Sequence, residues 1–386
     1  MPLKNRFAEM HPEITAWRRD FHANPELMFD VHRTADIVAQ RLRDFGCDEV
    51  VTGLGRTGVV GVIKGREAGR TVGLRADMDA LPIEETTGKP YASTVPGKMH
   101  ACGHDGHTSM LLGAAKYLAE TRNFAGTAVV IFQPAEEGGG GGREMCKDGM
   151  MDRFAIDEVY GMHNWPGMPV GKFAIRAGGF FAATDQFQIT LHGRGGHAAK
   201  PHETIDPVVL SSHVIQALQT ISSRVVDPVH QVVVSVTSIE SSSKAFNVIP
   251  ERVVLKGTVR TLDESIHDLV EERVIKLATQ TADAHGGRAE VNYIRAYPVM
   301  VNHDAETEFA ADAARALTGQ CDQAPLIMGG EDFSFMLQER PGAYILVGNG
   351  DSAPVHHPDY DFNDEVIPAG CSWFVEMVES RLPLAG

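Results

Sequence analysis

The sequence has no long apolar run and no excess of basic residues, and each absence excludes a class of protein. Nowhere do about 18 apolar residues follow one another, as a membrane-spanning helix requires, so no membrane span is expected. Near the N-terminus, Trp17-Arg18-Arg19-Asp20 stands where a secretory signal would be apolar. The 35 Lys and Arg against 51 Asp and Glu give a formal net charge of -16. A nucleic-acid partner is not expected, because that ligand requires a basic surface.

Cysteine is scarce as well. The chain has five cysteines, an odd number at scattered positions, which is not the pattern of a disulfide framework. The simplest interpretation is a reducing, cytoplasmic setting. Only Cys102 stands among other side chains that bind metals, and the remaining four are interpreted as small buried residues: Cys47, Cys146, Cys321 and Cys371.

Length and patterning indicate two domains. The chain has 386 residues, of which 43% are hydrophobic and 22% charged, and this suits a globular protein. Apolar strand-like runs alternate with helix-like patterns at both ends of the chain, which predicts an α/β domain with a mainly parallel sheet flanked by helices. The middle has the order βαββαβ of a ferredoxin-like α+β domain. We expect a catalytic domain over 1–183 and 298–386, interrupted by an inserted domain over 184–297.

Four clusters of side chains could bind a metal: Cys102-Gly-His104-Asp-Gly-His107, Glu136-Glu137, His163 and His356-His357. Their thiolate, imidazole and carboxylate groups suit borderline divalent ions. Each cluster alone is a weak signal. A glutamate pair is usually solvated, a single histidine at a strand end is commonly hydrogen-bonded in a core, and a Cys-Gly-His is usually incidental.

The positions of these clusters strengthen the signal. Strands are predicted over 71–76, 127–133 and 158–162, and a helix over 108–119. Asp79, Glu137 and His163 each follow one of those strands. Because active sites of open α/β sheets form where the carboxyl ends of the strands meet, we expect these side chains to lie at one edge of the sheet.

Two adjacent glutamates suit metal-assisted amide hydrolysis, which needs both a metal ligand and a base. A divalent ion polarises a carbonyl and lowers the pKa of a bound water, and a carboxylate still has to accept the water's proton. Of Glu136 and Glu137, one can bind metal while the other is the base. The tract Gly138–Gly142 either lets backbone approach the site or is a flexible turn. It is not a phosphate loop, because Arg143 follows where Lys-Ser/Thr is required.

Ordered motifs identify a family. They are HANPEL (22–27), RADMDALP (75–82), HACGHDGHT (100–108), QPAEEGGGG (133–141), GMHNWP (161–166), GRGGHAAKPH (193–202), FNVIPE (246–251), GTVR (257–260), MGGEDFSF (328–335) and HHPDYDFND (356–364). On these motifs the chain resembles the aminoacylase-like binuclear metallopeptidases. Within them it resembles the branch of hippurate hydrolases, N-acyl-amino-acid deacetylases and plant auxin-conjugate hydrolases. The resemblance covers essentially the whole chain.

The resemblance implies a metal centre with Cys102 as the ligand shared by two ions. The other implied ligands are His104, Glu137, His163 and His356. Glu136 matches the general base, and Asp79 matches a carboxylate that orients a ligand. One or two divalent ions per subunit are expected, and zinc, manganese, nickel and cobalt all suit this ligand set.

Two points of the centre stay open. The wider family has a histidine ligand and an aspartate bridge at the positions of Asp77 and Cys102, which leaves the occupancy of the second site undecided. For the last ligand, the register of the motif favours His356 over His357.

The resemblance also gives roles to residues of the inserted domain. His197 matches a histidine that reaches the active site of a partner subunit, where an imidazole could donate to an oxyanion. A loop histidine is an equally good interpretation without the resemblance. Asn247 and Arg260 match residues that hold the substrate carboxylate, which suits the planar guanidinium, although by pattern alone Arg260 is a surface residue. A homodimer or homotetramer is implied.

The expected reaction is hydrolysis of an N-acyl-L-amino acid to a carboxylic acid and an amino acid. A dipeptidase or carboxypeptidase is an alternative with the same metal chemistry. A non-catalytic metal-binding homologue is another, although it would not need Glu136. A dinucleotide-dependent oxidoreductase is disfavoured, because the glycine motif at 53–58 precedes its strand instead of following it.

Overall fold

The computed structural model describes residues 5–385. Its helices are α1 (Asn5–Ala23), α2 (His32–Asp44), α3 (His104–Thr121), α4 (Gly141–Lys147), α5 (Met150–Arg153), α6 (Pro207–Thr220), α7 (Glu264–Ala284), α8 (Asp304–Thr318), α9 (Ser334–Glu339) and α10 (Ile367–Arg381). Its strands are β1 (Glu49–Leu54), β2 (Gly58–Lys64), β3 (Glu67–Asp77), β4 (Ala125–Gln133), β5 (Glu158–Pro166), β6 (Phe173–Ile175), β7 (Gly178–Phe181), β8 (Ala183–His192), β9 (Gly196–His197), β10 (Val232–Ser241), β11 (Val248–Ile249), β12 (Arg252–Thr261), β13 (Arg288–Tyr297), β14 (Met300–Asn302), β15 (Asp322–Gln323) and β16 (Gly342–Gly350).

The chain divides into two compact units. The larger comprises the chain up to Gly178, Val301–Pro325 and the chain from Asp332 onward. The smaller comprises Gly179–Met300 and Leu326–Glu331. The boundaries expected from sequence, 183/184 and 297/298, differ from these by a few residues. The expected boundaries place residues 326–331 in the catalytic domain, whereas in the structure these residues belong to the smaller unit. The backbone N–H of Ala182 donates to the carbonyl of Ile327, a contact that nothing in the sequence indicates.

The larger unit is an α/β layer built on an eight-stranded sheet of order β1-β2-β4-β3-β5-β16-β6-β15. Its centre is parallel, since β3 pairs in parallel with β4 and β5, and β5 with β16. The antiparallel pairs β1–β2 and β2–β4 complete one side. This confirms the predicted α/β class with a mainly parallel sheet.

Helix α3 lies in the interior of this unit and contacts α1, α10 and β3. Its apolar side chains are fully buried, among them Met110, Leu111 and Leu112. Burial of a side chain of that size contributes about 1.5–3 kcal/mol, so these contacts hold both the helix and its first turn in place.

Two predicted boundaries near the candidate ligands were wrong. Helix α3 begins at His104, not Thr108, because Gly103 at φ 90° is its N-cap and supplies no side-chain signal. Strand β5 continues to Pro166, because His163, Asn164 and Trp165 pair with β16. His163 therefore lies inside a strand and not past its end.

The smaller unit is a four-stranded antiparallel sheet of order β10-β12-β8-β13 with helices α6 and α7. Along the chain the order is βαββαβ, as predicted. Alternate residues of β8, namely Phe187, Ile189 and Leu191, are buried in its core. Asp206 and Asp263 cap α6 and α7 by accepting backbone N–H groups, which fixes both helix starts.

Within residues 5–385, no helix combines the length and the apolar character needed to cross a membrane.

Candidate metal centre

Two groups of potential ligands meet in the larger unit and share one cysteine. Cys102, His104 and His163 form one group, and Cys102, Glu137 and His356 form the other. Within each group the ligand atoms all lie within 4.8 Å of one another. The five residues come from the start of α3, strand β5 and two loops that follow β4 and β16. All five side chains for which the sequence implied metal binding therefore lie together.

The distances leave room for a cation between the side chains. The Sγ of Cys102 lies 3.4 Å from the Nε2 of His163, and the Nε2 of His356 lies 3.3 Å from the Oε1 of Glu137. The Nε2 of His104 is buried without a hydrogen bond, although buried polar atoms that lack a hydrogen bond are costly. Soft and borderline donors with unused lone pairs fit a divalent ion.

Both buried histidines are oriented by backbone carbonyls. The Nδ1 of His104 donates to the carbonyl of Asp79 at 2.8 Å, and the Nδ1 of His163 donates to the carbonyl of Asn164 at 2.6 Å. With Nδ1 donating, Nε2 is the nitrogen that would bind a metal ion, which is the arrangement that fixes the tautomer in metal sites.

Asp79 also orders the loop that carries the two glutamates. Its Oδ1 accepts the backbone N–H of Glu136 at 2.9 Å and its Oδ2 that of Glu137 at 3.1 Å. Ala135, which precedes them, adopts a left-handed φ of 53°, a conformation that non-glycine residues adopt only where their surroundings enforce it. The loop is thus held by one carboxylate in an otherwise unfavourable conformation.

Glycine is required between Cys102 and His104. A Cβ at Gly103 would lie 2.2 Å from the Nδ2 of Asn164, which is far inside van der Waals contact. That amide donates to the carbonyl of Cys102 at 2.6 Å, and its Oδ1 accepts the hydroxyl of Tyr360 at 2.7 Å. The Cys-Gly-His spacing therefore lets the backbone approach the asparagine that positions the cysteine.

The sequence patterns did not predict a buried network of hydrogen bonds and ion pairs beside the candidate metal centre. The Nδ1 of His107 donates to Asp77 at 2.6 Å, and its Nε2 accepts the backbone N–H of Asn164 at 2.9 Å. Arg75 donates to Asp77 at 2.7 Å and to Asp332 at 3.1 Å. The available signal was a charged residue at two alternate positions of an otherwise apolar strand, which only partners on other elements can satisfy.

The charges of the centre perturb its pKa values. Burial, reinforced by Glu137 and Glu136, raises the pKa of the Cys102 thiol well above its usual range. Burial opposes protonation of His104, but Asp77 and Asp79 raise its pKa to about 10. Burial and the neighbouring His107 lower the pKa of His163. A divalent ion would have to displace the protons of Cys102 and His104, so metal binding releases protons.

Of the two adjacent histidines near the C-terminus, His356 lies at the centre. It holds a left-handed φ of 65°, and its ring faces Glu137. His357 instead accepts the backbone N–H of Asp359 at its Nδ1.

The three site residues expected in the inserted domain lie in the smaller unit. His197 on β9 pairs with Val248 on β11, and the backbone N–H of Ala198 donates to the carbonyl of Asn247, so His197 and Asn247 are neighbours. Arg260 lies on β12, where its guanidinium contacts Thr258 and the carbonyl of Val259. Arg260 and Asn247 line different depressions of this unit.

Comparisons with known proteins agree with this geometry. Residues 73–380 match the model of peptidase family M20/M25/M40. The hippurate hydrolase of Campylobacter jejuni is 41% identical over 98% of this chain and 98% of its own. Thermostable carboxypeptidase 2 of Saccharolobus solfataricus is 39% identical over 95% of both.

A solved structure extends the likeness to the fold. A Bacillus subtilis protein described as a dinuclear metal binding peptidase from the M20 family is 33% identical, covers 97% of this chain and 99% of its own, and superposes with a TM-score of 0.86. Sequence and structure lead to one conclusion: the chain belongs to peptidase family M20/M25/M40.

Proposed function

We propose that this protein is a divalent-metal-dependent amidohydrolase that cleaves N-acyl-L-amino acids, of the hippurate or N-acetyl type, into a carboxylic acid and an amino acid. The observation that carries the proposal is the pair of ligand groups that share Cys102. Membership of the family and the 41% identity to a hippurate hydrolase support the same reaction.

Divalent ions would be held by Cys102, which belongs to both ligand groups, together with His104 and His163 in one group and Glu137 and His356 in the other. Bound divalent ions supply Lewis-acid polarisation of the substrate carbonyl and a water of lowered pKa. Zinc, manganese, nickel and cobalt all suit the donor set.

Glu136 moves the proton. Its carboxylate groups with His104 and Glu137 within 4.8 Å, and its side chain is buried. From this position it accepts the proton of the attacking water and delivers it to the amide nitrogen as the carbon–nitrogen bond breaks. Asp79 keeps Glu136 and Glu137 in register through their backbone N–H groups.

The smaller unit would complete the site in a homodimer or homotetramer. His197 and Asn247 are exposed neighbours, as residues that act on another subunit would be. We propose that His197 donates to the oxyanion in the partner subunit's site and that Asn247 and Arg260 bind the substrate carboxylate. The five unpaired cysteines support a cytoplasmic location.

The substitution Glu136→Gln tests the assignment of the base. It keeps the side-chain volume and removes the proton acceptor, so kcat for hippurate should fall by about 10²–10⁴-fold while the metal content stays unchanged. Glu144→Gln, on the neighbouring helix α4, is the matched control and should leave kcat unaltered. Retention of turnover by Glu136→Gln refutes the role of Glu136.

A carboxypeptidase is the second candidate, and the 39% identity to a thermostable carboxypeptidase favours it. Assays of hippurate and N-acetyl amino acids beside free and N-blocked dipeptides separate the two. The proposal predicts the higher kcat/KM for the N-acyl amino acids. A preference for dipeptides would assign the peptidase activity instead.

A further inference from the structure

The HANPEL motif supplies none of the five candidate ligands, yet the segment containing it contacts three parts of the candidate metal centre. This segment, His22–Met28, comprises the last two residues of α1 and the first part of the connection to α2. His22 is fully buried. A buried imidazole outside the ligand set needs a reason, since burying a polar group costs free energy unless it is hydrogen-bonded.

The first contact is made to the start of α3. The Nδ1 of His22 donates to the Oδ2 of Asp105 at 2.8 Å. Asp105 directly follows His104, and both belong to the first turn of the helix. That turn has no side-chain cap, so the hydrogen bond from His22 is a side-chain restraint on the turn that orients His104.

The other two contacts hold the loops after β3 and β4. The carbonyl of Glu26 accepts the backbone N–H of Ala80 at 2.8 Å, next to Asp79. The carbonyl of Met28 accepts the backbone N–H of Ala135 at 3.1 Å, next to Glu136. Both N–H groups lie past the ends of their strands, where the sheet offers no acceptor.

The segment is itself held firmly enough to transmit position. The carboxylate of Glu26 accepts the backbone N–H groups of Arg33 and Thr34 at 3.0 and 2.8 Å, which satisfies the first turn of α2. Met28 adopts a left-handed φ of 53°, a conformation that a non-glycine residue keeps only where the surroundings impose it.

We propose that His22–Met28 is a positioning segment of the metal centre and that His22, acting through Asp105, is a positioning residue for the ligand His104. This inference rests on the proposed function, because it takes His104 to be a metal ligand. His22 belongs to neither candidate ligand group. Its role is to set the direction of the Nε2 lone pair of His104 by fixing the turn that carries it.

Two substitutions of His22 separate positioning from folding. His22→Phe keeps the ring volume and removes both the hydrogen bond from Nδ1 to Asp105 and the 3.3 Å contact of Nε2 with Glu85. His22→Asn places an amide N–H near the position of Nδ1 and keeps the hydrogen bond to Asp105. His32→Phe, at the exposed start of α2, is the matched control for loss of a histidine.

The probe is Co²⁺, titrated into the metal-free full-length protein and followed by its visible spectrum. We expect His22→Phe to raise the Kd for Co²⁺ by about 10–100-fold, the usual effect of removing an outer-shell partner, and to shift the ligand-field bands. His22→Asn should restore the wild-type spectrum, and His32→Phe should leave it unchanged. A wild-type Kd and spectrum in His22→Phe would overturn the inference.

Three further outcomes are informative. If His22→Phe does not fold, His22→Leu takes its place, because leucine is smaller and likewise has no N–H to donate to Asp105; unchanged Co²⁺ binding in that variant also overturns the inference. If the wild-type protein binds no Co²⁺ and shows no thiolate charge-transfer band, the proposed function fails. If the wild type binds Co²⁺ and His22→Phe binds it equally well, only the positioning role fails.

Discussion

Two buried histidines, one in each unit, differ in how their ring nitrogens are used. In the larger unit, His104 donates from Nδ1 to a carbonyl, and its Nε2 has no hydrogen bond. In the smaller unit, His267 contacts Asp185 through Nε2 at 2.5 Å and Glu264 through Nδ1 at 3.1 Å. A histidine with both nitrogens bonded to protein stabilises a fold, whereas one with an unused buried lone pair among other donors is prepared for a ligand.

The largest effect on metal binding is expected from replacing Cys102, the residue that both ligand groups share. Cys102→Ser should weaken binding at both sites, with a loss in metal affinity of at least about 100-fold, the upper end of outer-shell effects. Metal content after dialysis, measured by mass spectrometry, checks this. Cys146→Ser, also buried, is the control. Full metal content in Cys102→Ser would contradict a bridging thiolate.

Replacement of His267 should instead lower the stability of the fold and leave metal binding unchanged. His267→Leu leaves the buried Asp185 without its imidazole partner, although the Tyr293 hydroxyl still donates to its Oδ2 at 2.6 Å. The free energy of unfolding of the smaller unit should therefore fall by about 2–4 kcal/mol, with metal content unchanged. Denaturant unfolding followed alongside metal analysis measures both. Loss of metal without loss of stability would reverse the roles assigned to the two histidines.

The stability of the smaller unit should also depend on pH, because His267 loses its proton in the alkaline range. Burial opposes protonation of His267, but Asp185 and Glu264 raise its pKa to about 9. Because the folded pKa exceeds the unfolded value of about 6.5, the stabilisation is complete below pH 6.5 and is lost as the pH rises through 9. Thermal melting from pH 6 to 10 should show this decline in the wild type and not in His267→Leu. Equal pH profiles would exclude the effect.

A smaller effect is expected from the hydroxyl that orients Asn164. Tyr360→Phe removes its hydrogen bond to the Oδ1 of Asn164, whose amide holds the carbonyl of Cys102. Metal affinity should fall by about tenfold, the lower end of outer-shell effects, with the fold intact. Competition with a chelator measures this. An unaltered affinity would show that Asn164 holds its position without Tyr360.

The features that the sequence predicted best are those set by the order of strands, helices and motifs along the chain. Asp79 and Glu137 follow β3 and β4, and parallel strands bring their carboxyl ends to one edge, so proximity was predictable. The order βαββαβ of the smaller unit was predictable from the succession of strand-like and helix-like patterns along the chain. The choice between His356 and His357 rested on motif register, and the ring of His356 faces Glu137.

What could not be predicted depends on contacts between distant parts of the chain. Gly103 caps α3 without a side-chain signal, so the helix start was placed too late. The extension of β5 through His163 depends on pairing with β16, far along the chain. The burial of Arg75 depends on Asp332, which no local pattern reveals. The roles of His197, Asn247 and Arg260 remain predictions.

The central claim is that Cys102, His104, His163, Glu137 and His356 hold divalent ions. An anomalous difference map from a crystal of the zinc-loaded protein, recorded at the zinc edge, tests it directly. Two zinc peaks are expected, each about 2.0–2.3 Å from its ligand atoms, with the Sγ of Cys102 bonded to both ions. Peaks at other residues, or none near Cys102, would contradict it.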